Sequence, residues 1–404
     1  MHLVFKCALC LLAMTLSGCQ SPGAAFSNAI SQGIDWVTGD EVADPPHELE
    51  PIEPEVKISV LWDEDIGVGD GGNILALTVA HDSEGRVYAA DAKGRVVALK
   101  LTTGEEIWDK DLDLPLSAGP SVGSNTVLLG TSEAQVVALD RSSGEILWQA
   151  RVSSEVLAPP EAAQGVVVVD TGDGEVFALA EADGRTLWSF GRHIVPLSMR
   201  GCGAPRILLK TETGGEDWVL AGFADGKMAA LRLKDGKLIW EKQLAETKGM
   251  LELEQVVDID SAPAIQDGTF YVSASYGGVI AASLLDGEVL WQRPVIAQAS
   301  PAIARYLFVT DVTGDVYALD ETTGRAYWKQ TALHQRQLSA PVPYGNWLVV
   351  GDYQGYVHFL AQEDGRLVGR VRIARSPIRA TKVVGDVVLV LASSGSLAAL
   401  KVEN

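Results

Sequence analysis

From Val56 onward, short apolar runs such as residues 166–169, 348–350 and 387–391 are cut by Asp-Gly, Gly-Asp and Thr-Gly pairs. This pattern predicts antiparallel strands joined by tight turns that need positive φ. No helical period of comparable length competes with it. The strands belong to a repeated unit, Gly-x-x-x-Ala-Leu-x-x-x-x-Gly-x-x-x-Trp. It appears as Gly94, Ala98, Leu99, Gly104 and Trp108, and recurs to Trp148, Trp188, Trp240, Trp291 and Trp328. A seventh copy keeps Gly355, Leu360 and Gly365 but has Gly369 where Trp belongs.

Four short strands fit each unit of about 40 residues, and a sheet of that size cannot bury both faces unless its neighbours stack on it. A large Trp on the outer strand suits the wedge between adjacent sheets. The expected fold is therefore all-β, an eight-bladed β-propeller with four antiparallel strands per blade. The eighth blade is assembled from both ends of the chain. Its third strand is residues 395–400, and Trp62 lies in a strand at the start of the repeat region. Joining them removes exposed sheet edges.

The Trp-to-Trp steps are 46, 40, 40, 52, 51 and 37, so the units after Trp188 and Trp240 are long. Trp188 to Pro205 is 17 and Trp240 to Pro263 is 23, against 10 to 13 for the equivalent steps elsewhere. Both excesses join an outer strand to the next inner strand, which places them on one face of the ring and in neighbouring blades. Insertions on one face are how a propeller builds a binding site. The remaining excess, Thr211 to Trp218, is a longer hairpin.

Ahead of the repeats, residues 1–18 carry Lys6 and an apolar stretch too short to span a membrane, the form of a secretory signal. The stretch ends in Leu16-Ser17-Gly18-Cys19, which resembles the lipobox of bacterial lipoproteins. That resemblance implies cleavage before Cys19 and acylation of it, and Gln20 implies sorting to the outer membrane. Residues 19–55 are rich in Pro, Glu and Asp toward their end and read as an acidic tether, with the propeller at residues 56–404.

The composition is that of a globular chain, 47% hydrophobic and 21% charged, with a net charge of -21 that disfavours nucleic acid. With Cys19 acylated and Cys7 and Cys10 removed, Cys202 is the single thiol, either a buried filler or an accessible group. Gly119-Pro-Ser121-Val-Gly123 matches a nucleophile elbow but aligns with Ser261, Ser300 and Ser339 at blade starts. Residues 109–113 have the spacing of a calcium loop but lack its Gly and Glu. The six His are scattered singly, without metal-ligand spacing. No catalytic residue, metal or cofactor is expected.

The Gly-x-x-x-Trp units resemble the quinoprotein-type repeat, which occurs in two settings. One is the pyrroloquinoline quinone dehydrogenases, whose calcium and, in many members, adjacent Cys pair go with extra cofactor loops; no two Cys are adjacent here. The other is the BamB family of outer-membrane protein assembly factors. To that family the whole chain is similar in lipobox, acidic segment, eight repeats and length. The resemblance implies a non-catalytic scaffold of the β-barrel assembly machinery, anchored in the outer membrane and facing the periplasm. Its partner would be the POTRA domains of BamA within the BAM complex. The alternatives are a quinone-dependent periplasmic dehydrogenase or a scaffold for another envelope complex.

The Pro-Leu-Ser-x-Arg-Gly and Asp-x-Asp-x-x-Pro insertions look like the paired loops by which that family contacts BamA. Carried over, the contact residues are Leu197, Met199, Arg200, Asp258 and Asp260. Read from the residues alone, the apolar pair also suits packing on the propeller and the carboxylates suit turn capping. The resemblance leaves open whether unfolded outer-membrane proteins bind directly. It also leaves open whether the contact is side-chain docking or strand pairing.

Overall fold

Each repeat folds into one sheet, and eight sheets follow one another around a β-propeller. The computed structural model describes residues 44–73, 75–191, 203–245, 258–259, 261–275, 277–297 and 299–403. Blades 1 to 7 occupy residues 80–111, 116–151, 161–191, 206–243, 264–293, 302–330 and 342–372. The eighth sheet pairs Lys57–Asp65 with Ser396–Glu403, then Val387–Ala392 and Ile378–Val384.

The spacing of the repeat has a direct packing cause. Across the outer two strands, Trp108 lies opposite Ala98, Trp148 opposite Ala138, Trp188 opposite Ala178 and Trp240 opposite Ala230. Trp291, Trp328 and Trp62 likewise face Ala281, Ala318 and Ala399. Each indole then reaches the turn of the following blade. A Cβ on Gly104 would lie 2.8 Å from Trp62, and Gly144, Gly184, Gly236, Gly287, Gly324 and Gly365 meet the other six Trp in the same way. These seven glycines hold φ between +66° and +76°, so backbone conformation and the indole both exclude a side chain. Every indole Nε1 donates to a backbone carbonyl in that neighbouring turn at 2.8 to 3.1 Å. One residue type thus fills the wedge and satisfies its own polar atom.

Blade 7 departs from this rule for a reason visible in the topology. A repeat Trp needs the third-to-fourth turn of the next blade, and the eighth blade has none, because those two strands come from opposite ends of the chain. In that place lie Val56 and Ile58. A Cβ on Gly369 would stand 2.7 Å from Val56 and 3.0 Å from Ile58. Opposite Gly369 the sheet has Phe359 instead of Ala, so a large and a small residue have exchanged strands.

Two expectations are corrected. Blade 2 has five strands, because Ala76–Leu77 adds in parallel to Leu116–Val122, with Ala76 beside Ala118 and Leu77 beside Gly119. The long connection from the eighth blade into blade 1 supplies that strand. The second correction concerns the acidic segment, whose last residues are not free of the propeller. The chain divides into units Met1–Pro45 and Pro46–Asn404, so the boundary falls ten residues before Val56. The prolines exclude helix but not an extended strap. His47 N–H donates to the His334 carbonyl at 3.0 Å, Leu49 packs with the blade 6–7 core, and Glu55 N–H donates to the Val368 carbonyl at 2.8 Å. Arg366 grips Glu55 through both guanidinium arms at 2.9 Å, and this hydrogen-bonded pairing lowers the Glu55 pKa.

The strap changes one blade rim. On the outer strands, the residue before the repeat Trp is an exposed apolar group in seven blades: Leu61, Ile107, Leu147, Leu187, Ile239, Leu290 and Tyr327. Its counterpart in blade 7, Val368, is 1% exposed under the strap. A small helix, Lys210–Thr213, occupies the longer hairpin of blade 4.

Candidate partner-binding face

Connections from an outer strand to the next inner strand share one face of the ring with the hairpins between second and third strands. The two insertions are on this face, between blades 3 and 4 and between blades 4 and 5. Leu197, Met199, Arg200, Cys202 and Asp260 lie outside the described residues, as do Cys19 and the signal segment. What the structure gives is the ground from which the insertions rise.

Their feet meet. Gly203 N–H donates to the Ile259 carbonyl at 3.3 Å, linking the end of the first insertion to the end of the second. A Cβ on Gly203 would lie 2.4 Å from the Ser261 carbonyl oxygen, and one on Gly222 would lie 2.9 Å from Ile259. Small residues are therefore required where the two connections cross. Ser261 anchors the second foot: its Oγ accepts from Ser273 N–H at 2.7 Å, and Ala262 N–H donates to Ser300 Oγ at 2.9 Å. Asp258 is fully buried, and its carbonyl accepts from Ser275 N–H at 3.0 Å. Its carboxylate is therefore turned inward, at the foot of the second insertion.

A residue not singled out from sequence ends the second strand of blade 3. Four positions before the first glycine of each unit, the side chain faces the connection into the next blade. Gly130 abuts Val156, Gly222 abuts Ile259 and Gly351 abuts Ile378. Ser273 Oγ donates to the Ala299 carbonyl at 3.1 Å, and Thr310 Oγ1 to the Ser339 carbonyl at 3.1 Å. In blade 3 this position is Asp170, 1% exposed, and among the described residues its carboxylate meets no partner beyond the weak pull of the adjacent Thr171 N–H. Burial raises its pKa well above the ordinary value. The signal was available in the sequence as a charged residue at a small-residue position of the repeat.

The same face holds a second buried charge cluster, under the strap. Arg336 contacts Asp352 through Nε at 2.9 Å and through its terminal nitrogen at 2.7 Å, and it donates to the His47 carbonyl at 3.0 Å. His358 Nε2 lies 3.0 Å from the same carboxylate. Burial alone would raise Asp352, but bonds from His358, Tyr356 and Arg336 hold it below the usual range. His358 is lowered, chiefly by burial, against the pull of Asp352. This cluster anchors the strap through the His47 carbonyl, while His358 Nδ1 is buried without a hydrogen-bond partner among the described residues.

The candidate catalytic motifs gain no support from the geometry. Ser121 lies inside the strand Leu116–Val122, not on a strand-to-helix turn. In the calcium-like run, Asp109 pairs with Arg95 at 2.9 Å and Asp111 accepts from Asp113 N–H at 3.1 Å. Among the described residues no group of three His, Cys, Asp or Glu could hold a metal ion.

Comparison with known proteins places this architecture. A family model described as outer membrane protein assembly factor BamB matches residues 92–330 and 299–404. The BamB of Pseudomonas aeruginosa is 47% identical over 88% of this chain and 92% of its own length. That of Legionella pneumophila is 42% identical over 93% of this chain and 97% of its own. Among solved structures, BamB from Moraxella catarrhalis covers 85% of this chain and 100% of its own at a TM-score of 0.76 and 22% identity. A quinohemoprotein alcohol dehydrogenase from Pseudomonas putida shares the fold, with a TM-score of 0.65 and 12% identity over 85% of this chain and 76% of its own. The chain belongs to the outer membrane protein assembly factor BamB family.

Proposed function

We propose that this chain is a non-catalytic scaffold of the outer-membrane β-barrel assembly machinery, anchored through acylated Cys19 and facing the periplasm. Its partner is the POTRA region of BamA, engaged by the insertions on one face. The observation that carries this reading is the meeting of the two insertions at Gly203 and Ile259, which makes neighbouring loops a single platform. The family to which the chain belongs supplies the name of the partner. In this reading Leu197, Met199 and Arg200 make the contact, apolar groups beside an Arg being the usual anchors of protein interfaces. Asp258 and Asp260 orient the second loop.

The test is Arg200→Ala, and separately Leu197→Ala with Met199→Ala, measured for binding to the purified POTRA region. Loss of at least about thirtyfold in affinity, equivalent to about 2 kcal/mol, is expected with an unchanged thermal midpoint. Normal binding by the Arg200 variant would move the site elsewhere on the ring. Addition of pyrroloquinoline quinone with calcium is expected to yield neither stoichiometric binding nor dye-linked alcohol oxidation.

A further inference from the structure

The strap shows how an extended peptide sits on the rim of this propeller. It runs along the outer strand of blade 7, covers the apolar residue that every other blade leaves bare, partly buries Leu49, and donates Glu55 N–H to the open edge at Val368. Four other rims carry a second exposed apolar residue beside the one before the Trp: Val60, Ile146, Leu238 and Val289. Of the blades concerned, only 4 and 5 are neighbours. Between them stands Leu285, at 74% the most exposed large apolar side chain among the described residues, with Leu290 at 57%. Trp240 Nε1 donates to the Leu284 carbonyl at 3.1 Å and Lys242 pairs with Glu288, so the two rims are held together as one surface. Among the described residues, no backbone bond from outside its own sheet reaches Ile239 or Leu290.

We propose that the rim of blades 4 and 5, formed by Leu238, Ile239, Leu285, Val289 and Leu290, binds an extended segment of another polypeptide with apolar residues at alternate positions. The segment lies along an outer strand as the strap lies along blade 7. Its apolar side chains cover the bare rim, and its backbone bonds to the open edge. An exposed apolar surface held between two strand edges is suited to such a chain, whereas a folded partner would leave the edges unpaired. The site is independent of the insertions. Leu238, Leu285 and Val289 lie toward the opposite face, where the third-to-fourth turns are, so loss of BamA binding and loss of peptide binding are separable results.

The experiment uses the full mature chain and a fluorescein-labelled peptide alternating Thr with Val and Leu. A second peptide has proline at the Thr positions and N-methylated Val and Leu, and so cannot donate to the edge from either set of backbone nitrogens. Leu285→Glu with Leu290→Glu is expected to weaken binding of the first peptide by about tenfold or more, while Leu147→Glu on blade 2 leaves it unchanged. The proline peptide is expected not to bind. Leu285→Met with Leu290→Met, which keeps the apolar surface, is expected to bind normally, and the thermal midpoint of each variant reports its fold. Unchanged binding by the Glu variant, equal loss in the blade 2 variant, or equal binding of the proline peptide overturns the proposal. So does a Glu variant that loses only its binding to phosphatidylethanolamine–phosphatidylglycerol vesicles, which would make the rim a membrane surface.

Discussion

Blade 7 and blade 2 are built on the same unit, yet they meet their neighbours in opposite ways. Blade 2 offers Trp148, which packs on Gly184 of blade 3 and bonds to the Glu181 carbonyl at 2.8 Å. Blade 7 has Gly369 there, Phe359 across the sheet, and Val56 and Ile58 in the vacated wedge. The difference shows that the Trp is kept only where a following turn exists to receive it. Where the chain ends meet, the wedge is filled from the amino-terminal side, and the same segment continues outward as the strap.

The largest effect that would sharpen this contrast is Trp148→Ala, expected to cost about 3–5 kcal/mol, the range for a large buried aromatic. Chemical denaturation measures it. A loss under about 1 kcal/mol would mean that the wedge is not where the ring derives its stability. The informative counterpart is Gly369→Trp, which restores the residue of the repeat. It is expected to destabilise by about 1–3 kcal/mol, because the new side chain must displace Val56 and Ile58. If that variant is more stable than the parent, the account of blade 7 is wrong.

A smaller effect separates blade 3 from its neighbours. Asp170→Asn should raise the thermal midpoint near neutral pH. The folded carboxyl has a raised pKa, so the native state holds its proton more tightly than the unfolded chain. Stability from this group is greatest below the ordinary value of 3.8 and falls as pH rises through the folded pKa. The advantage of the Asn variant should therefore vanish in acid and grow toward neutrality. A constant difference across that range would show that Asp170 is not titrating.

How much of this was legible in the sequence follows from what the repeat can carry. The eight blades were readable because each Trp and Gly answers to a neighbour at fixed spacing. So was the excess chain on one face, since insertions stand out against a period. The strap was not. Its composition says only that residues 46–55 form neither helix nor sheet of their own, and its partners Arg336, Arg366 and Val368 are far away in sequence. Asp170 is not among the marker residues that define the repeat; its signal lies at the position four before the glycine, where blades 1, 2 and 4 to 7 have small residues. The inward turn of Asp258 depends on how two connections cross, which spacing does not encode.

In the proposed function the ring is a uniform frame, and BamA is met where insertions break the repeat. Hydrogen–deuterium exchange of the full mature chain, with and without the POTRA region of BamA, tests this most directly. Protection is predicted at residues 192–203 and 246–262, with the strap and the turns at residues 141–145 and 320–325 on the opposite face unchanged. Protection confined to those opposite turns, or to the strap, would contradict it.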